Sequence, residues 1–366
     1  MTGIWRIDPA PMTEEIRIPQ PLLSFCIPTY NRVGSVLPLV RRVLESPNDE
    51  IEVIVSDNGS TDDTLAQLAT IDDPRLLVIQ QKVNRGALFN QVNVLVQGRG
   101  FYSALLLDKD SVDPTFIPLF LDFLRRESPA TGYCEYHQPA GTPARIFAQG
   151  GEALRGMAYS CHHPSGYFFR KADLREIRVV ERFSDHEVVG NFPFEFMQAE
   201  LALRGPTAIF QEPVFIPEAL EAARAIKSFT INGMKEDAFF LPKGRLNTAV
   251  RFSSHILGLP LAADLKRQLV LDRFAQGLSF ATIDYRMIMA NEAICDHYHI
   301  ATRRVGLLEL LPIAVDYYRG FVRQLKAARQ GADHPAGSAV LIDTARRLCR
   351  RLGRQLSGQR EAAERS

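Results

Sequence analysis

The chain has 366 residues, 46% of them hydrophobic and 23% charged, a balance that excludes collagen-like, coiled-coil and wholly disordered chains and suffices for a sizeable buried core. Lys and Arg number 43 against 42 Asp and Glu, so nucleic acid is not expected as a main partner. Cys26, Cys134, Cys161, Cys295 and Cys349 form no CxxC pair and are odd in number, which speaks against a zinc site or disulfide framework and for a reducing compartment. The opening residues, 1–20, carry charges and prolines without an apolar run and read as an extension rather than a secretory signal. No stretch reaches about 18 consecutive apolar residues, so no spanning helix is expected and the location is read as cytoplasmic.

In chain order, 22–27 (LLSFCI) is a short apolar run closed by Pro28 and predicts a buried strand. Residues 33–46 repeat apolar positions at helical spacing, and 51–56 (IEVIVS) predicts a second strand. Ser60 or Thr61 is expected to cap a helix reaching about residue 71, with Asp62 and Asp63 in its first turn. A third strand at 75–80, a helix at 86–97 and a fourth strand at 102–107 complete an alternation that implies a parallel sheet covered on both faces. Beyond residue 130 the rhythm breaks. Residues 131–220 mix short strands and turns with one helix near 194–204, and 221–330 is mainly helical, including 261–276 and 307–329. A linker at 331–337 leads into a basic amphipathic tail.

In an open α/β sheet, ligands bind outside the carboxyl ends of the strands. Three polar clusters stand at such ends: Pro28-Thr29-Tyr30-Asn31-Arg32, Asp57-Asn58-Gly59-Ser60 and Asp108-Lys109-Asp110. Turn chemistry alone accounts for any one of them; three at one sheet edge point to a polar ligand. Asp108 and Asp110 are the sharpest pair. Carboxylates at i and i+2 in a tight loop can point to one side and hold Mg²⁺ or Mn²⁺, with phosphate oxygens completing the shell. Asp113 is expected to cap the helix that follows. The chain lacks GxGxxG, GxxxxGK[ST] and GxSxG, which removes the fingerprints of dinucleotide enzymes, P-loop enzymes and α/β hydrolases.

Four segments, FCIPTYNR (25–32), EVIVSDNGSTDDT (52–64), NRGALFN (84–90) and LLLDKDSVDP (105–114), resemble in order and spacing the family 2 glycosyltransferases of GT-A fold, and among these the transferases of bacterial O-antigen and capsule glycans, including the abequosyltransferase-like group. The resemblance implies a GT-A α/β sandwich with a mainly parallel sheet, its nucleotide-sugar half over 21–130 and its acceptor half over 131–220, followed by the helical region. It implies a metal-dependent, inverting transfer from a nucleotide-sugar donor to a glycan or lipid-linked saccharide in cell-surface polysaccharide synthesis. Pro28, Thr29, Tyr30 and Asn31 would line base and ribose; Asp57 would bond the base, beside Asn58; Arg85 and Gly86 would lie near ribose and diphosphate. Asp110 would be the principal metal ligand, and Asp108 would lie nearer the ribose. Two other readings stay open: a nucleotidyltransferase that makes a nucleotide sugar, although its Gly-rich phosphate loop is missing, and an inactive scaffold on the same fold.

The second half departs from the family pattern. Where an acidic pair is usual, NFPFEFMQAELALRG (191–205) offers Glu195, with Glu200 five residues on. Either is a candidate for the base that takes the acceptor proton, Glu195 because flanking phenylalanines would desolvate it. His162, His163 and Arg170 in SCHHPSGYFFRK (160–171) are expected on the acceptor side, the histidine pair against the diphosphate or the acceptor sugar, though a plain pair of turn histidines is the alternative; His297 and His299 read as structural. In 341–356 (LIDTARRLCRRLGRQL) a leucine stripe is flanked by arginines. It predicts either peripheral contact with an anionic membrane at the inner face of the cytoplasmic membrane or a packing helix, and an oligomer is possible.

Overall fold

The computed structural model describes residues 20–218, 240–297 and 300–327; the segment at 341–356 and the side chains of His297 and His299 lie outside the described residues. Strands β1 (Leu23–Thr29), β2 (Ile51–Asp57), β3 (Leu76–Gln80) and β4 (Tyr102–Leu105) are parallel and alternate with helices α1 (Val33–Leu44), α2 (Thr64–Leu68) and α3 (Ala87–Val94). The short β5 (Ser111–Val112) and α4 (Ile117–Glu127) follow. The next stretch holds β6 (Thr131–Cys134), β7 (Arg145–Phe147), α5 (Gly151–Gly156), β8 (Tyr167–Arg170), α6 (Lys171–Glu176), α7 (Val179–Phe183), α8 (His186–Val189), α9 (Pro193–Leu201), β9 (Thr207–Phe210) and β10 (Phe215–Ile216). One sheet takes the order β3-β2-β1-β4-β8-β6-β9-β7, and β5 pairs with β10 in a separate ribbon. Only β8 and β7 run against the other strands of the large sheet. The mainly parallel sandwich implied by the motifs is therefore present.

Alternation along the strands divides the interior. Leu23, Phe25 and Ile27 of β1 and Val53 and Val55 of β2 face α1 and α4, while Cys26 and Ile54 face the opposite core, as the period of two requires. Phe25 has no exposed surface and packs on Phe215 with ring centroids 6.0 Å apart; truncating it to Ala should cost about 3–5 kcal/mol. The second core continues into helices α10 (Pro242–Gly258), α11 (Ala263–Ser279) and α14 (Leu307–Ala327), through Phe252, Ile256, Phe274 and Phe321. A π-helical turn at Phe280–Asp284 joins α11 to α12 (Tyr285–Met289), and α13 (Glu292–His297) follows. The described cysteines are all free.

Two local expectations change. β1 does not stop at Pro28 but runs to Thr29. Its ladder with β4 ends at Cys26, so the missing N–H of Pro28 faces the side where no partner strand remains. The helix expected from Ser60 or Thr61 shrinks to Thr64–Leu68. Ser60 and Thr61 are engaged elsewhere: the Asn31 N–H donates to Ser60 Oγ (2.8 Å) and the Thr61 N–H to Asn31 Oδ1 (2.7 Å), while Asp62 accepts from the Thr64 N–H (3.1 Å). Asp113 accepts from the Thr115 N–H, the expected cap.

Candidate active site

The order 3-2-1-4 places the switch point between β1 and β4, where strand ends splay to leave a crevice. The turns after these two strands meet there. Thr29 Oγ1 donates to Asp108 Oδ2 across 2.9 Å, and Arg32 approaches Asp108 Oδ1 at 3.3 Å. Burial pushes the Asp108 carboxyl above its ordinary range against the pull of Arg32 and Thr29, and nearby Asp110 adds to the rise. Asp110 is held differently. Burial again acts to raise it, but His163 Nε2 (2.6 Å), Ser165 Oγ (2.5 Å) and the Glu218 N–H (2.8 Å) all donate to its carboxylate and hold it below the usual range. Lys109 faces Glu218 at 3.9 Å. One small crevice thus holds two carboxylates with opposed shifts, ringed by an arginine, a lysine and a histidine.

The wall on the β2 side is built from its own turns. Asp57 is fully buried and accepts from the Ser60 N–H (3.1 Å), the bond expected of a turn. Gly59 between them has φ +79°, and a Cβ there would sit 3.2 Å from the backbone of Val83 and Asn84. Asn58 binds the loop before α3: it accepts from the Arg85 N–H (3.0 Å) and donates to Asn84 Oδ1 (2.9 Å) and to the Gly86 carbonyl (3.2 Å). Arg85 lies over the Phe89 ring, 3.5 Å from its centre, and Gly86 (φ +89°) precedes α3 with open space beside it. Behind this wall Asn90 donates to the Ser56 carbonyl (2.8 Å) and accepts from Ser56 Oγ and Gln81. Pro28 is buried, whereas Tyr30 is 40% exposed at the rim.

The third wall is the loop between α5 and β8. Tyr159 and Cys161 both adopt left-handed φ, +62° and +59°, at a cost of about 1–3 kcal/mol each. What holds them is Glu195 of α9. Its carboxylate accepts from the N–H groups of Ser160 (2.9 Å), Cys161 (2.6 Å) and His162 (3.3 Å) and from Tyr167 Oη (2.5 Å). Burial and that carboxylate keep the Tyr167 phenol far above its normal titration, as a donor. Arg273 of α11 donates to the Tyr159 carbonyl (2.7 Å) from the other side. The histidine pair is consequently split: His163 reaches Asp110, while His162 turns inward and stacks on Tyr133, ring centroids 4.1 Å apart.

Three residues with expected roles have their side chains engaged by other partners. Glu195 has no exposed surface and is enclosed by donors, whereas a base must reach the acceptor hydroxyl; the fold makes it the anchor of a loop. Glu200, at the end of α9, is bound by Arg182 and by His255 Nε2 (3.1 Å), and these partners outweigh burial to hold its carboxyl below the usual range. Arg170 lies opposite Tyr102, at the start of β4, and bonds Asp173 at 2.6 Å. Because β8 runs antiparallel to β4, Tyr167 stands at the Asp108 end and Arg170 at the far end of the sheet. Glu218, Ser165 and Asn90 are residues that sequence reasoning passed over as site residues. Ser165 and Asn90 stood within the motif segments, but nothing marked Glu218, which lies 108 residues from Asp110 in the chain.

Among the described residues no group of three His, Cys, Asp or Glu gathers to hold a metal ion alone. The crevice offers the carboxylates of Asp110 and Asp108, hard oxygen donors short of a full shell. That set fits Mg²⁺ or Mn²⁺ if substrate phosphate and water supply the remainder.

Residues 24–171 match the family model described as glycosyl transferase family 2. Chondroitin synthase of Escherichia coli is 35% identical over 109 residues, 29% of this chain and 16% of that protein. The putative teichuronic acid biosynthesis glycosyltransferase TuaG of Bacillus subtilis (strain 168) is 31% identical over 140 residues, 37% of this chain and 55% of that protein. The chain thus spans less than two thirds of these relatives. The solved structure of S. aureus TarS 1-349 in complex with UDP-GlcNAc aligns over 86% of this chain and 95% of that chain, with a TM-score of 0.51 at 15% identity; the likeness is one of fold, GT-A.

Proposed function

We propose that this chain, whose residues 24–171 form a family 2 glycosyltransferase domain, transfers a sugar from a nucleoside-diphosphate sugar to a glycan or lipid-linked saccharide in cell-surface polysaccharide synthesis, with a divalent cation. The observation that carries this reading is the meeting of three chain segments at the switch point, where Thr29 and Arg32 bind Asp108 while His163 and Ser165 bind Asp110. The names of its relatives, which belong to glycan synthesis, support the pathway.

In this reading the turns after β1 and β2, from Thr29 to Asn31 and from Asp57 to Ser60, receive the nucleoside. The Arg85-Gly86 loop, tied to Asn58, closes over the ribose side. The cation would be held by Asp110, with Asp108 and His163 beside it, and supplies counter-charge for the departing diphosphate. Arg32 and Lys109 add fixed positive charge at the same place, where partial exclusion of water strengthens it. Glu195 acts through the loop it anchors: it presents His163 and Ser165 to Asp110 and touches no reacting atom.

The test is hydrolysis of a panel of UDP- and GDP-sugars with Mn²⁺ or Mg²⁺. Release of sugar and nucleoside diphosphate is expected, and Asp110→Asn should lower it by about 10²–10³-fold with the melting temperature kept. Cleavage of none of the panel, or turnover by the variant at the wild-type rate, would refute the assignment.

A further inference from the structure

The three most exposed of the described large apolar side chains, Leu307, Leu308 and Leu311, stand on one helix, and Val315 lies one turn further on. Leu307, Leu308, Leu311 and Val315 of α14 are 68%, 89%, 67% and 38% exposed. They are not scattered. Leu308, Leu311 and Val315 follow at the 3–4 residue spacing that places them on one face, and the same spacing continues through Arg319, Val322 and Lys326, with Arg319 and Lys326 exposed. The opposite face, through Tyr317, Gly320, Phe321 and Leu325, is buried in the core, so the helix is already anchored and its outer face is surplus to folding. From residue 303 to 326 the chain carries Arg303, Arg304, Arg319, Arg323 and Lys326 against Glu309 and Asp316. Glu309 is occupied by Arg303 (2.7 Å) and, like Asp316, lies off the leucine face.

The geometry points to α14 as a surface that seats on an anionic lipid bilayer, its leucines entering the headgroup boundary and Arg304, Arg319 and Lys326 facing acidic headgroups. An apolar stripe bracketed by basic residues is the pattern of a helix that lies in the interface plane, and a patch of this kind on a protein surface marks an interaction site. No helix among the described residues is long and apolar enough to cross a membrane, so contact of this kind is peripheral. The inference does not rest on the transfer reaction.

The experiment is co-sedimentation of the full chain with phosphatidylcholine–phosphatidylglycerol vesicles and with pure phosphatidylcholine. Binding to the anionic vesicles at low salt, weakened by added salt, is expected. Leu308→Ser with Leu311→Ser should lower the partition coefficient by about tenfold or more with the melting temperature unchanged, since both side chains are mostly exposed. Arg319→Glu with Lys326→Glu should lower it on anionic vesicles. Three results would overturn the assignment: failure of the wild type to bind at low salt; loss of binding when Arg346, Arg347, Arg350 and Arg351 become Gln but not when the leucines are changed; or a wild-type oligomer, blind to vesicles, that the leucine pair dissolves into monomers.

Discussion

The two sides of the crevice are held in place by different means. On the β1–β2 side each polar group sits in the turn that directly follows its own strand, and its partners are close in the fold and mostly backbone: Asp57 with Ser60, Asn58 with Arg85 and Gly86, Asn31 with Thr61. On the β8 side the loop carrying His163 contains two non-glycine residues in left-handed conformation and is held by a carboxylate on α9 and a guanidinium on α11. The first wall has one such residue, Asn31 (φ +52°), of a type that tolerates that conformation, and is tied turn to turn along one sheet edge. The second is strained and depends on tertiary contacts, so damage there should spread further.

Glu195→Gln tests this difference most severely. The amide would turn an NH₂ toward donors that now share a buried carboxylate, and about 2–4 kcal/mol of stability should be lost, read by denaturant unfolding. Transfer should fall with it, and nucleoside diphosphate affinity measured by calorimetry should also weaken, because His163 is displaced from Asp110. A variant with wild-type stability and binding but slow transfer would instead return Glu195 to the role of a base. Asn58→Ala, on the other wall, should cost about 1–2 kcal/mol and weaken nucleotide binding, while proteolysis within 157–163 stays at the wild-type rate; faster cleavage there would mean the walls are coupled.

Glu200 offers a pH-dependent version of the contrast. Its carboxyl is depressed in the folded state by Arg182 and His255, so its contribution is fully present above the ordinary value of 4.5 and is lost as pH falls through the depressed value. Wild type should lose stability on acidification below that point more steeply than Glu200→Gln, as followed by melting at stepped pH; parallel curves would show the ion cluster to be silent. Arg170→Ala should do least. It leaves the buried Asp173 carboxylate to Arg204 at 3.9 Å, which should cost about 1 kcal/mol, at the end of the sheet away from the crevice. Steady-state kinetics should be unchanged, and a marked rise in acceptor KM would restore Arg170 to the acceptor side.

The chain's local chemistry already determined the first half. Short apolar runs alternating with helical spacing make a covered parallel sheet, the carboxyl ends of its strands form the ligand edge, and polar turn residues cluster there. For that reason Thr29, Asn58, Asp108 and Asp110 were legible as one polar edge, whereas Gly86 was marked only by the family resemblance. The helix after β2 was misread because Ser60 and Thr61 serve as caps and as loop partners equally well, and only the approach of Asn31, thirty residues away, decides which. The roles of Glu195, Arg170 and Glu218 had no local signature at all. A glutamate between phenylalanines is the same string whether it is a base or an anchor. An arginine ending a strand faces the site or its opposite according to strand direction, and β8 runs antiparallel. Those assignments belonged to the tertiary structure, because burial, strand polarity and the identity of a distant hydrogen-bond partner are properties of the packed chain and not of any segment in it.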